Sequence, residues 1–234
     1  MGAIHFSIDV KLAGILQRSL EQTVFVETGT FKGETLSAIF DLYDQIYSCE
    51  CSDELYCIAK DRFADYKHMH LLKGSSPELI AELPVDRDSD AVLYWLDAHW
   101  CAGEGENVKK SQCPLLEELD SIHRLNENSV VWIDDARYFL APPPAPMDSS
   151  QWPTCFEVFE RLGRLAPASH QYMVINDTIL YFPKKIEPLI SDYARNNGAD
   201  WLQIAHNNFV VIPKLQEAIQ AYEGRSRRKR KWYG

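Results

Sequence analysis

The residues best placed to do chemistry are Glu27, Glu50, Asp97, His99, Asp134 and Asp135. Each carboxylate ends or follows an apolar, β-branched run, so each is expected at the tip of a strand rather than along its length. Glu27 opens Glu27-Thr28-Gly29-Thr30-Phe31-Lys32-Gly33, an acid followed by two spaced glycines and then a helical pattern. Gly29 lets the backbone turn sharply and pass close to a ligand, and Gly33 allows close packing of the helix that follows. A carboxylate at that turn would repel a pyrophosphate but suits a cationic ligand. S-adenosylmethionine, with its ammonium and sulfonium, is one; an ordinary solvated strand-end acid is the other reading of Glu27.

Glu50, in Ser48-Cys49-Glu50-Cys51-Ser52, lies about 20 residues further on, where dinucleotide folds place the acid that binds ribose hydroxyls. Cys49 and Cys51 read as small buried residues flanking it. Gly74-Ser75-Ser76 ends a third strand, where Ser75 and Ser76 would meet an adenine or cap the next helix. Asp97 and the pair Asp134-Asp135 end two strands expected to be neighbours, so three carboxylates converge. Like charges so close call for a cation or bound protons. Mg²⁺ held by Asp97, Asp134 and Asp135 is the first expectation, with Mn²⁺ or Ca²⁺ next. Such an ion would chelate two adjacent hydroxyls and acidify one of them. The other reading is that some of these aspartates cap helices or pair with Arg137. His99 can serve as general base for that hydroxyl, as a further ligand, or as pocket wall. A zinc site from His99, Cys101 and Cys113 lacks a fourth ligand.

These residues need a scaffold. The chain reads as alternating strands and helices: a strand from Thr23, a helix with Leu36, Ile39, Phe40 and Tyr43 on one face, a strand over Gln45–Cys51 and a helix over Asp53–Tyr66 with Leu55, Ile58, Ala59 and Arg62 on one side. A strand over Met69–Gly74, a helix over Pro77–Leu83 and the most apolar strand, Ala91–Ala98, follow. Next come a helix over Pro114–Leu125 with Leu115, Leu119 and Ile122 aligned, a strand over Val130–Asp134, a helix over Thr154–Leu165 and two strands, Tyr172–Asn176 and Thr178–Phe182, joined tightly. This predicts an α/β fold, a doubly wound, mostly parallel seven-stranded sheet with an antiparallel edge strand. Residues 1–22 are expected as a lead-in, 23–183 as the core, 184–224 as helical decoration and 225–234 as a basic tail, all in one domain.

The succession over Thr23–Pro183 resembles the class I S-adenosylmethionine-dependent methyltransferases. Within them it is similar to the metal-dependent macrocin-type sugar O-methyltransferases and their bacterial polysaccharide-associated relatives. Four stretches carry this: Glu27-Thr28-Gly29-Thr30 with Gly33; Leu96-Asp97-Ala98-His99-Trp100; Cys113-Pro114-Leu115-Leu116-Glu117-Glu118-Leu119; and Ile133-Asp134-Asp135-Ala136-Arg137. The resemblance implies methyl transfer to a sugar hydroxyl of a glycan precursor or glycosylated metabolite. It implies cofactor contacts from Glu27, Thr28, Gly29, Thr30, Gly33, Glu50, Ser75, Ser76 and Asp97, with His99 and Asp97 catalytic. A catechol-type O-methyltransferase, a nicotinamide-dependent oxidoreductase and a non-catalytic relative are the alternatives.

Composition narrows partners. The net charge of −10 argues against general nucleic-acid binding. No apolar run is long enough to span a membrane, the first ten residues do not read as a signal peptide, and the six cysteines lack a disulfide framework. A cytoplasmic enzyme, free to self-associate, is expected. The segment Arg225-Ser226-Arg227-Arg228-Lys229-Arg230-Lys231-Trp232-Tyr233 reads as a solvated terminus or as an arm touching anionic lipid or glycan. Cys101–Gln112, with Lys109 and Lys110, and the proline-rich loop Pro142–Pro146 are expected to close the site, with Trp100 stacking on a sugar or packing against the lid.

Overall fold

The computed structural model describes residues 7–99, 111–207 and 212–216. The expectations for Trp100, for Lys109 and Lys110 and for the basic tail lie outside these residues. Contacts between Cα atoms group the chain into two units, Met1–Asn196 and Asn197–Gly234.

In the first unit the order is α1 (Val10–Leu20), β1 (Val24–Thr28), α2 (Glu34–Ile39), β2 (Gln45–Glu50), α3 (Asp53–Arg62), β3 (Met69–Lys73), α4 (Ser76–Glu82) and β4 (Val92–Leu96). It continues with α5 (Leu115–Ile122), β5 (Val130–Ile133), α6 (Arg137–Leu140), α7 (Cys155–Leu165), β6 (His170–Ile175), β7 (Thr178–Pro183) and α8 (Glu187–Asn197). The strands form one sheet in the order β3-β2-β1-β4-β5-β7-β6. The first five are parallel; β7 inserts antiparallel beside β5, and β6 closes that edge antiparallel to β7. This is the doubly wound Rossmann-like sheet expected from the sequence. The strand order reverses between β1 and β4, and ligands of such sheets lie beyond the carboxyl ends at that point. Thr28 is in register with both Cys49 and Leu96, so β1, β2 and β4 end level there.

Helices cover both faces. One core packs α4, α5 and α7 on Val24, Val26, Tyr94, Leu96, Val131 and Ile133; the other packs α1, α2 and α8 on Phe25, Trp95 and Trp132. β4 is buried at every position, as its uninterrupted apolar run predicts for a strand covered on both sides. The largest departure is α1, inside the expected lead-in: Leu12, Leu16 and Leu20 recur every fourth residue and are buried, and Asp9 caps the helix by accepting from Lys11 N and Leu12 N. Tyr193 of α8 donates its hydroxyl to Asp9, tying the last helix of this unit to the first. Helix α7 begins at a reciprocal Thr154–Glu157 cap.

Two local expectations fail. Ile58 is 46% exposed and only Ala59 of α3 is buried; Phe40 is also exposed, and pairs edge-on with Tyr66. Phe40 is the cap that ends α2 and Ile58 belongs to α3, and both lie on the solvent side of their segments, outside the buried core. Cys51, expected to be buried beside Glu50, is exposed because β2 ends at Glu50. The second unit contains α9 (Trp201–His206), started by the Asp200 side chain accepting from Gln203 N at 2.9 Å, and a helical segment at 212–216. Among the described residues no helix is long and apolar enough to cross a membrane.

Candidate active site

The turn after β1 is built by glycine. Gly29 has φ +84°, and a Cβ there would lie 2.8 Å from the Asp97 carbonyl oxygen, so only glycine lets this turn touch the exit of β4. Gly33, at φ +77°, faces the ring of Phe63 just past α3, 2.5 Å from where a Cβ would stand. Its close packing is thus against that ring. Asp97 N donates to Thr28 Oγ1 at 3.1 Å, a second tie between the two loops.

Glu27 lies beneath the turn and is 1% exposed. Its carboxylate accepts from Ser48 Oγ at 2.5 Å, and the Ser48 hydroxyl also meets that of Thr30 at 2.6 Å. Burial pushes the Glu27 carboxyl up to about 8, against the downward pull of the Ser48 bond. Glu50 is buried at the tip of β2. Its Oε2 accepts from Phe31 N at 2.9 Å and its Oε1 from Ser52 N at 2.8 Å. Those bonds fix the carboxylate and leave further lone pairs, since two oxygens offer about four acceptor sites. Ser75 is exposed at the start of α4 and makes no cap bond; Ser76 is buried and turned toward Glu118.

Across the switch point the structure gathers Asp97, His99 and Asp135, with one ligand-capable atom from each inside a 4.8 Å span. His99 Nε2 lies 2.6 Å from Asp135 Oδ2 and 3.6 Å from Asp97 Oδ1. Arg137 reaches Asp135 Oδ1 at 2.5 Å and also pairs with Asp177, at the turn between β6 and β7. The grouping differs from the expected three aspartates. Asp134 is adjacent, but its Oδ1 accepts from Asp135 N at 2.8 Å, while Oδ2 is buried without a hydrogen-bond partner. His99 takes its place in the cluster, and Asp135, at φ 55°, aims its Oδ2 at the His99 ring.

The electrostatics follow. Burial raises Asp134 to about 8, with Asp97 and Asp135 adding repulsion, and raises Asp97 to about 6 despite the nearby imidazole. Burial also works to lower His99, but the Asp135 hydrogen bond and the surrounding carboxylates outweigh it and leave His99 above its ordinary value. Asp135 is lowered because His99 and Arg137 overcome its burial. Arg137 and a protonated His99 therefore already offset part of the negative charge, and crowding of carboxylates does not by itself demand a metal ion. The donor set still fits one: two carboxylates and an imidazole converge, and a buried carboxylate oxygen on Asp134 has no other use. An imidazole beside two carboxylates suits a first-row transition ion better than it suits Mg²⁺ or Ca²⁺, whose preferred ligands are all oxygen.

Two parts of the site were not expected from the sequence. Trp152 packs 5.4 Å from the His99 ring, with Tyr138 and Phe139 beside it, so the stretch after the proline-rich loop returns an aromatic wall to the histidine. Trp152 is held there by its Nε1 donating to Gln112 Oε1 at 3.2 Å. Glu118 of α5 is 1% exposed and bonded by the Ser76 and Thr28 hydroxyls, and burial raises it to about 7. It lines a narrow cleft with His99, Cys113 and Phe139. An acid on the same helical face as Leu115, Leu119 and Ile122 was the available signal.

No family model matches the sequence, and no curated protein matches it. Solved structures do. A Staphylococcus aureus protein whose name assigns it to the caffeoyl-CoA O-methyltransferases superposes with a TM-score of 0.53 at 15% identity, covering 77% of this chain and 84% of that one. The O-methyltransferase TomG from Streptomyces achromogenes, involved in tomaymycin synthesis and solved with S-adenosylmethionine, gives 0.52 at 14% identity over 74% and 78%. A Podospora anserina methyltransferase bound to S-adenosylhomocysteine gives 0.50 at 14% identity over 75% and 77%. The chain thus has the fold of class I S-adenosylmethionine-dependent methyltransferases.

Proposed function

We propose that this chain is an S-adenosylmethionine- and divalent-metal-dependent O-methyltransferase acting on one of two adjacent hydroxyls of a sugar, on a glycan precursor or a glycosylated metabolite. The observation that carries the reading is the Asp97–His99–Asp135 cluster pressed against the Gly29 turn, at the point where this fold takes its ligand. Solved neighbours with the same fold are named O-methyltransferases, which supports oxygen as the acceptor atom.

The sulfonium cofactor, when bound, supplies the methyl group, and the divalent ion supplies a Lewis acid that favours the alkoxide. The chain does the rest. Glu50, pinned by two amides, presents its remaining lone pairs to the ribose diol; Glu27 serves the cationic amino-acid end; Gly29, Thr30 and Gly33 shape the turn between them. Ser75, exposed at the tip of β3, faces the adenine side, and Ser76 supports it through Glu118. Asp97 and Asp135 would hold the ion, with Asp134 beside them, and His99, whose Nε2 lies near both carboxylates, takes the hydroxyl proton. Trp152, Tyr138 and Phe139 exclude water from that proton transfer.

The test is a ligand panel followed by turnover. S-adenosylhomocysteine should raise the melting temperature and NAD(P) should not; stabilisation by NAD(P) alone would replace this reading by an oxidoreductase. Turnover should need Mn²⁺ or Mg²⁺ and a sugar diol, whereas preference for catechols would move the acceptor to an aromatic ring. Glu50→Ala should weaken S-adenosylhomocysteine by about 10- to 100-fold, the loss of a charge-assisted hydrogen bond to ribose. Unchanged affinity in calorimetry would put Glu50 outside the site.

A further inference from the structure

We propose that Asp177, at the turn between β6 and β7, is a positioning residue that acts through Arg137 to hold Asp135 in its working orientation. The proposal rests on the reading of Asp97, His99 and Asp135 as one site. It starts from a backbone outlier. Asp135 sits at φ 55°, a region uncommon for residues with a side chain, though aspartate enters it more readily than most, and the bonds around it hold it there.

Two sets of bonds border it in the chain. Asp135 N donates to Asp134 Oδ1. The residues that follow are gripped by Asp177: Ala136 N donates to its carbonyl oxygen at 2.7 Å, Arg137 N to its Oδ1 at 3.0 Å, and the Arg137 guanidinium to its Oδ2. Held in this way and laid over the Tyr138 ring 4.2 Å away, the guanidinium takes Asp135 Oδ1. The other oxygen, Oδ2, is left aimed at His99 Nε2. The Arg137 side chain is 35% exposed, so without Asp177 it has solvent to turn into and Asp135 loses the partner that fixes which oxygen faces the site.

The hairpin has another residue to shape its turn. A two-residue turn asks for backbone conformations that asparagine, aspartate or glycine supply, and Asn176, at φ 56°, provides one. A turn aspartate is ordinarily solvated, yet Asp177 is buried, and the bonds described above all go to the segment carrying Asp135. The antiparallel insertion of β7 beside β5 is what brings the turn to that segment, since Ile133 pairs with Ile179.

The experiment uses the full chain with Asp177→Ala and Asp177→Asn. Asparagine keeps an oxygen for Arg137 N and removes the ion pair. Three quantities are read: the imidazole ¹⁵N–¹H signal of His99, assigned by its loss in His99→Gln; the affinity for Mn²⁺ from the free-ion paramagnetic resonance signal; and the melting temperature. Asp177→Ala should displace the His99 signal and weaken Mn²⁺ by about 10- to 100-fold, as for loss of a partner that orients a metal ligand, with Asp177→Asn between it and the wild type. A purely structural tie would lower the melting temperature and leave the other two readouts at wild-type values, and that result overturns the proposal. If the wild type binds no Mn²⁺, the metal reading fails and the His99 signal alone decides on Asp177. If Asp177→Ala does not fold, Asp177→Asn decides by the same two readouts.

Discussion

His99→Ala is expected to lower kcat by roughly 10²–10⁴-fold, the usual worth of a positioned general base. Asp135 holds the imidazole by a 2.6 Å bond and Trp152 packs against its ring, so the group is fixed in place before any ligand arrives. The loss should persist at saturating Mn²⁺, and the acidic limb of the pH–rate profile should vanish, because that limb reports the imidazole losing its proton before it can accept one. His99 Nε2 also stands within reach of two carboxylates, which makes the competing role concrete. Recovery of most activity at high Mn²⁺ would assign His99 as a ligand and leave the hydroxyl proton to another acceptor.

Glu27→Gln is expected to stabilise the ligand-free protein at alkaline pH and to weaken S-adenosylhomocysteine. Burial raises the Glu27 carboxyl from 4.5 to about 8, so the folded chain holds this proton more tightly than the unfolded one. The associated stability is fully present below about pH 4.5 and is lost as pH rises through about 8. At ~1.4 kcal/mol for each tenfold change in proton affinity, the loss is on the order of 4–5 kcal/mol. Asp134, raised to about 8, and Glu118, raised to about 7, act in the same direction. Glutamine keeps an acceptor for Ser48 and carries no charge, so denaturation at pH 5, 7 and 9 should show a shallower decline in the mutant. Parallel declines would mean that Glu27 is not the group being neutralised. The binding arm asks a separate question: a ligand ammonium should draw the proton off Glu27, so affinity should fall about tenfold in the mutant, as for a lost charge-assisted bond. Equal affinity would make Glu27 a support of the turn only.

Much of the architecture was legible in one dimension, because it depends on local pattern. The uninterrupted apolar run Val92–Leu96 could only be a strand covered on both faces, and it is the centre of the sheet. Acids placed directly after such runs had to arrive at strand tips, so Glu27, Glu50, Asp97 and Asp135 stand at one edge as their spacing indicated. The glycines at 29 and 33 announced a tight turn because glycine takes a positive φ without the steric cost that a side chain brings. Helix α1 is hard to read for the opposite reason: eleven residues with leucines at every fourth position carry a pattern, but next to a short opening segment it gives little contrast.

What the sequence could not decide was which atoms face which. Alternation along a strand places Asp134 and Asp135 on opposite sides of the chain, but which of them joins Asp97 is a matter of folded geometry, and it is Asp135, at φ 55°. The residues after it, Ala136 and Arg137, are bonded to Asp177, about forty residues away in sequence. The cations beside the carboxylates, Arg137 and His99, take effect only through the folded distances that pair them with Asp135. Glu118 shows the same limit, since its charge state comes from complete burial beneath Thr28 and Ser76. Hydrophobic periodicity is a property of neighbours in the chain and determined the sheet and its tips. Hydrogen-bond partners, burial and proton affinity are properties of neighbours in space, and the tertiary structure alone selected Asp97, His99 and Asp135 as the group that meets.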